Sequence, residues 1–232
     1  MSSSLCDNLL VGVSGGIQCV NLHNYLFHFR TVLARQVKVI MTPSAAKMVS
    51  PAVLELYLDD RVFVDFWDRS TEVKTPHIQL TRWADLFVVI PACADIISKA
   101  ANGIADNLLA AAIVSYPGPV IFAPSMNPSM WRSPAVQRNL RTLTTDGHYV
   151  IPPAPGVAVG SGEWETGMAA PTPEEVVRHL RHVRMRRLKE EYWDEATREK
   201  PKTPFQRKLE RLQLMTEAAA EPPLVNPTPT PP

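Results

Sequence analysis

His77 is the side chain in this sequence best suited to move a proton. It stands in Pro76-His77-Ile78, shortly before an unbroken apolar run at 86–90 (Leu-Phe-Val-Val-Ile), and a small-residue stretch at 91–96 (Pro-Ala-Cys-Ala-Asp-Ile) follows that run. An imidazole titrates near neutrality and can take a proton from a thiol or a Cα–H. Six histidines occur, and a lone histidine is more often a surface or a satisfied core residue, so position must carry the argument. A run this apolar reads as a strand buried on both faces of a parallel sheet. Open α/β sheets bind ligands outside the carboxyl ends of their strands. A histidine ahead of such a strand, with small residues behind it, marks a ligand site. Asn127 could donate its amide N–H₂ to a carboxylate, or simply satisfy the backbone of a turn. Ser14-Gly15-Gly16 joins an apolar run at 9–13 to helical periodicity at 17–33. Its backbone N–H groups at a helix N-terminus would suit a phosphate. It is not Gly-x-Gly-x-x-Gly, and a tight βα turn explains it equally well.

The elements that would hold these residues alternate along the chain. Strands are expected at 9–13, 37–41, 62–64, 86–90, 119–123 and 148–151. Helices are expected at 17–33, from Thr42 to about Tyr57 with Ser44 as N-cap, at 98–109, at 133–143, and from Thr172 to about Arg187. The last opens on Thr172-Pro-Glu-Glu175, close to a capping box. Strand–helix alternation implies α/β: a single doubly wound parallel sheet, Rossmann-like or flavodoxin-like, with helices on both faces. The segment 59–74 is a charged connection with aromatics. The Gly- and Pro-rich segment 152–170 is too long for a simple connection and reads as a mobile lid. The organisation is then a short N-terminal segment (1–7), a body (8–185) and a charged, then Pro-rich tail (186–232) whose end should be disordered.

Composition narrows the classes. With 232 residues, 45% of them hydrophobic, and a net charge of +1, the body is neither disordered nor a nucleic-acid binder. No apolar run approaches the roughly 20 residues of a membrane helix, and the N-terminus carries no secretory pattern. Cys6, Cys19 and Cys93 have neither paired nor metal-ligand spacing, and read as reduced thiols of a cytoplasmic protein.

Four ordered motifs resemble those of the homo-oligomeric flavin-containing cysteine decarboxylases. They are the Ser14 loop, the His77-Ile78 pair, the Pro91 loop and the complete signature at 124–131 (Pro-Ser-Met-Asn-Pro-Ser-Met-Trp). The resemblance spans roughly residues 8 to 180. It implies a flavoprotein that binds FMN, or FAD, which some members of that branch use. Cofactor contacts would fall to Ser14, Gly15, Gly16, Thr42, Ser44, Pro91, Ala92, Asp106, Asn107 and Met126. His77 would be the base and Asn127 would orient the substrate carboxylate. Met130 and Trp131 would pack about ring and substrate. Segment 152–170 would be the substrate clamp, laying Trp164 and Met168 on the ligand. Asp106-Asn107 also reads as a helix-end cap, and Lys99 as readily as a solvated charge.

The sequence departs from the family pattern in two places. Cys93 stands for a family Ser and Asp95 for a family Asn, so an acceptor-only carboxylate replaces an amide donor. Val159 stands where the phosphopantothenoylcysteine decarboxylases keep a clamp Cys that reduces the enethiol intermediate. The resemblance therefore points to peptidyl-cysteine decarboxylases of lantibiotic-type biosynthesis. Such an enzyme oxidatively decarboxylates the C-terminal cysteine of a precursor peptide to an aminoenethiol, and assembles as trimers, often four together. The alternatives are the coenzyme A pathway decarboxylase and a non-catalytic flavin-binding regulatory subunit.

Overall fold

The apolar runs become the strands of one six-stranded parallel sheet, in a computed structural model that describes residues 5–67, 74–157 and 164–196. The strands are β1 (Cys6–Val13), β2 (Ala34–Met41), β3 (Val62–Phe63), β4 (Leu86–Ala92), β5 (Val120–Pro124) and β6 (Tyr149–Val150). Their order is β3-β2-β1-β4-β5-β6. This is the doubly wound order, whose two halves meet between the first and fourth strands. Alternate residues serve opposite faces. Leu9, Val11, Leu86 and Val88 join one apolar cluster, while Leu10, Phe87 and Val89 join another. All seven residues of β4 are buried, and burial on both faces is why these strands show no polar alternation.

The helices are α1 (Leu22–Val32), α2 (Pro43–Met48), α3 (Pro51–Glu55), α4 (Pro76–Trp83), α5 (Ala94–Ala101), α6 (Leu108–Ser115), α7 (Pro128–Arg132), α8 (Pro134–Thr145) and α9 (Pro173–Ala196). Helices α1 and α9 cover the first face through Leu22, Leu26, Phe29, Val176 and Leu180. Helices α4, α5, α6 and α8 cover the second through Leu80, Ile97, Leu109 and Leu140. Among the described residues no helix is long and apolar enough to cross a membrane. The chain forms two compact units, Met1–Met185 and Arg186–Pro232. In the second, the described residues are the final turns of α9.

The structure redraws several expected elements. The single helix expected from Thr42 to Tyr57 is two, because Pro51 has no N–H to continue the ladder and opens α3 instead. The N-cap is Thr42, not Ser44: Thr42 Oγ1 accepts the Ala45 N–H at 3.2 Å. Helix α4 occupies a stretch where no helix was expected, with Pro76 in its first turn. The expected loop at 91–96 shrinks to Cys93, since β4 runs on through Ala92 past a cis Ile90–Pro91 bond and α5 begins at Ala94. The helix expected at 98–109 breaks after Ala101. Gly103 takes φ +66°, the left-handed conformation that ends helices, and Asn107 caps a new one, accepting the Ala110 N–H at 3.0 Å. The 152–170 segment, expected as a mobile lid, contains an antiparallel pair of strands, β7 (Ala154–Val157) with β8 (Trp164–Ala169). At α9 the capping box holds: Thr172 N–H reaches Glu175 Oε2 at 3.1 Å, and Glu175 N–H reaches Thr172 Oγ1 at 3.3 Å.

Candidate functional site

Ser14 spans the crevice between the two halves of the sheet. Its side chain is buried, donates from Oγ to the Pro91 carbonyl at 2.7 Å and accepts the Cys93 N–H at 2.8 Å. Its own N–H reaches the same Pro91 carbonyl at 3.2 Å. The hydroxyl is thus consumed in pinning the end of β1 to the turn after β4. Beside the cofactor contact expected of it, Ser14 acts here as a brace. Ser125 N–H donates to Ala92 O at 3.0 Å, which ties β5 into the same cluster. Sequence reasoning passed over Ser125, whose only signal was its place inside the signature.

Above this brace the backbone comes very close. A Cβ on Gly15 would sit 2.7 Å from Ser44 Cβ, and one on Gly16 would lie 3.5 Å from the Pro91 ring. The chain is therefore bare where β1, β2 and β4 end. The Ser44 side chain is exposed there without a partner among the described residues. Thr42 is buried and spends its hydroxyl on the α2 cap. A flavin phosphate and ribityl chain fit such a floor: glycine backbone, a free serine hydroxyl, and helix starts facing one crevice. Gly15, Gly16, Ser44, Pro91 and Ala92 come together as expected. Met126 is buried in the second apolar cluster.

Asn127 is placed to do two things at once. Its Oδ1 accepts the Met130 N–H at 2.8 Å and caps α7. That fixes which way the side chain points and leaves the Nδ2 amide without a partner among the described residues. A capped, oriented amide donor at the exposed end of β5 suits a carboxylate. The cap reading of Asn127 holds, and it leaves the other end of the side chain available for the ligand reading. Trp131 follows one helical turn later, half-buried, its carbonyl accepting Gln137 Nε2 at 2.7 Å, while Met130 is exposed. Helix α7 lies against β8. The side chains of Trp164 and Met168 fall outside the described residues, as does Val159.

His77 enters from α4. The far end of that helix is fixed at the amino edge of the sheet, where Asn8 Nδ2 donates to Trp83 O at 2.9 Å and Asp85 Oδ2 accepts the Asn8 N–H at 2.9 Å. Since α4 runs antiparallel to the strands, His77 lies at its end nearest the carboxyl edge. Its ring meets Phe66 edge-on, centroids 5.4 Å apart. Its Nδ1 is buried with no hydrogen-bond partner among the described residues. A buried ring nitrogen with no partner is costly, which leaves this one available to a proton or a ligand atom. The bonds that tie Ser14, Pro91 and Ala92 together do not extend to His77.

Asp106 and Asn107 belong to a separate brace. Lys99 Nζ lies 3.1 Å from Asp95 Oδ2 and 3.1 Å from Asp106 Oδ2. Asp106 Oδ1 accepts Asn107 Nδ2 at 2.9 Å. Burial pulls the Lys99 ammonium down, but the hydrogen bonds and charges of Asp106 and Asp95 outweigh it and hold the group above its usual value. Asn107 caps the start of α6 rather than the end of the expected helix, and Lys99 bridges two carboxylates. Elsewhere, burial pushes the Cys6 thiol up to about 12 and raises Cys19 as well, so neither is poised as a nucleophile.

Comparison with known proteins follows this geometry. The family model "Flavoprotein" matches residues 3–185. The chain is 35% identical over 167 residues to mersacidin decarboxylase of Bacillus sp. (strain HIL-Y85/54728), covering 70% of this chain and 84% of that protein. It is 38% identical over 175 residues to the coenzyme A biosynthesis bifunctional protein CoaBC of Bacillus subtilis (strain 168), covering 74% of this chain but only 41% of the relative. Among solved structures it is similar to the FMN-dependent cysteine decarboxylase SpaF (TM-score 0.65, 29% identity, 76% of this chain and 97% of that one). It is also similar to a variant of EpiD complexed with the substrate peptide DSYTC (TM-score 0.68, 25% identity, 75% and 98%).

Proposed function

The chain belongs to the Flavoprotein family, and we propose that it is an FMN-dependent peptidyl-cysteine decarboxylase of lantibiotic-type peptide biosynthesis. The observation that carries the reading is the oriented, unpartnered amide of Asn127 at the lip of a bare, braced crevice. Similarity to mersacidin decarboxylase and SpaF supports it, and the peptide bound to EpiD ends in cysteine.

Bound FMN would supply the two-electron oxidation of the cysteine Cα–Cβ–S unit. Gly15, Gly16 and Ser44 hold it, with Pro91 and Ala92 as the floor. Asn127 donates from Nδ2 to the peptide's terminal carboxylate and so sets the cysteine in one orientation. His77 takes the proton that the cysteine gives up. The oxidised cysteine carries a thiocarbonyl β to its carboxylate, an electron sink that lets CO₂ leave. An enethiol remains. In this reading the segment 152–170 is the substrate clamp. We further propose assembly into trimers, four of which can associate, and action in the cytoplasm on a precursor peptide ending in cysteine.

The coenzyme A reading draws on the CoaBC similarity. Two sequence facts weigh against it: no cysteine follows Cys93, and Val159 occupies the clamp position. Purified FMN-loaded protein, incubated with Cys-ended peptides and read by mass spectrometry, separates the two. Loss of two hydrogens and CO₂, about 46 mass units, is expected. Loss of CO₂ alone, about 44 units, would mean the intermediate is reduced again, and would move the assignment to the coenzyme A branch.

A further inference from the structure

A groove of about 460 Å³ begins at Trp131 and runs along α8, with Gln137, Leu140 and Arg141 on one wall and Val150 and Pro152 on the other. Three observations say what it would take. First, it starts one helical turn from Asn127: the Trp131 N–H donates to the Asn127 carbonyl at 3.0 Å. Second, its length along α8 suits an extended chain. The face of α8 from Gln137 to Thr145 rises about 12 Å, the length of about four residues of extended peptide. Its outer wall is the edge strand of the sheet and the segment that leads into β7. Third, its polar character is one-sided. Arg141 is exposed and makes no ion pair among the described residues, and the same holds for Arg138, one turn earlier on α8.

We propose that this groove is a peptide subsite. It seats, in extended form, the residues that precede the terminal cysteine, and it selects an acidic side chain about three to five positions upstream through Arg141. The proposal rests on the peptidyl-cysteine reading and adds to it a substrate class, peptides with a carboxylate side chain before the terminal cysteine. With the terminal carboxylate on Asn127, chain direction is fixed, and the upstream residues pass Trp131 into the groove. Its apolar wall of Leu140, Val150 and Pro152 takes the intervening side chains. An extended peptide laid beside a sheet edge is a recurrent recognition mode, in which pockets for alternate side chains confer selectivity. Because Arg141 acts on binding and lies away from the reacting atoms, it should lower KM without touching kcat.

The test uses the FMN-loaded enzyme and three synthetic peptides: a Cys-ended tripeptide too short for the groove, and two Cys-ended heptapeptides with Asp or Lys at the fourth position before the cysteine. The wild type should show a KM several-fold lower for the Asp heptapeptide than for the other two. Arg141→Glu should raise that KM about tenfold, lower the KM of the Lys heptapeptide, and leave kcat and the tripeptide KM unchanged. Turnover of all three peptides with one KM, or an equal effect of the substitution on tripeptide and heptapeptide, overturns the subsite while sparing the decarboxylase reading. No turnover of any peptide overturns both. If Arg141→Glu leaves every KM alone but changes the sedimentation of the protein, the groove is a contact between copies and the subsite is refuted. Arg141 is exposed, so an unchanged melting temperature and flavin spectrum will certify the fold of the variant.

Discussion

Replacing Ser14 by Ala should loosen the flavin site more than its single missing atom suggests. The hydroxyl makes two bonds across the switch point, donating to Pro91 O at 2.7 Å and accepting from Cys93 N–H at 2.8 Å. Each is worth about 1 kcal/mol net, and a buried donor left without a partner costs about 1–3 kcal/mol. The Pro91 carbonyl keeps the Ser14 N–H at 3.2 Å, so the principal loss falls on Cys93, and a total near 2 kcal/mol follows. For a chain of this size that lowers Tm by about 4–8 °C. The turn after β4 also forms the floor of the crevice, so FMN should bind several-fold more weakly. Thermal unfolding with and without FMN, together with flavin titration by fluorescence quenching, reads both effects. A Tm within about 1 °C of wild type and an unchanged FMN affinity would show that the brace holds nothing.

Three further outcomes are expected. His77→Asn should lower decarboxylation by about a hundredfold or more, the usual cost of losing a general base, with flavin absorbance retained; near-normal turnover in that variant would place the base elsewhere. Gly15→Ala drives a Cβ to 2.7 Å from Ser44 Cβ and 3.4 Å from Ser44 backbone carbon, so it should purify largely free of flavin, and a full complement of FMN would refute the close approach. Stability should fall on acidification: His148 Nδ1 accepts the Val120 N–H at 3.1 Å, and burial holds this ring below the usual 6.5 despite the opposing charge of Asp146. The unfolded chain therefore binds the proton first as pH falls, and the stabilisation present above about 6.5 is lost below it; an equal Tm drop between pH 7.5 and 5.5 in wild type and His148→Asn would exclude this residue.

The sheet was legible because burial on both faces forces apolar runs, and no other element of this chain leaves so plain a trace. Strand β4 could be read from 86–90 alone. The helices were harder wherever tertiary packing or a proline overrode periodicity. Helix α4 has the mixed sequence Pro-His-Ile-Gln-Leu-Thr-Arg-Trp, buries little beyond Pro76, Leu80 and Thr81, and leaves a weak pattern. The break between α5 and α6 turned on Gly103, which reads as tolerable inside an Ala-rich helix until its positive φ is seen. In the site, residue types pointed to loops that the structure brings together, but not to what their atoms do. Ser14 and Thr42 are polar residues at a ligand edge, and nothing in a sequence says that their hydroxyls are already spent on backbone groups. Asn127 was the reverse case, since capping and ligand binding compete for a side chain only when they need the same end of it.

Asp95 raised the most serious objection to a flavin and carboxylate site, because a carboxylate in the first turn of α5 would repel both. The geometry removes much of that repulsion. Asp95 shares Lys99 with Asp106, each carboxylate 3.1 Å from the ammonium. The field reaching the crevice from Asp95 is that of a paired ion. The pair also has a mechanical effect. It links the first turn of α5 to Asp106, whose other oxygen holds Asn107, the cap of α6. The two helix starts that flank the crevice are thereby fixed to one another through a single cation. What the pair cannot restore is the lost amide donor. In the proposed mechanism, orientation of a substrate carboxylate therefore falls more heavily on the Nδ2 group of Asn127, an amide donor without a partner among the described residues.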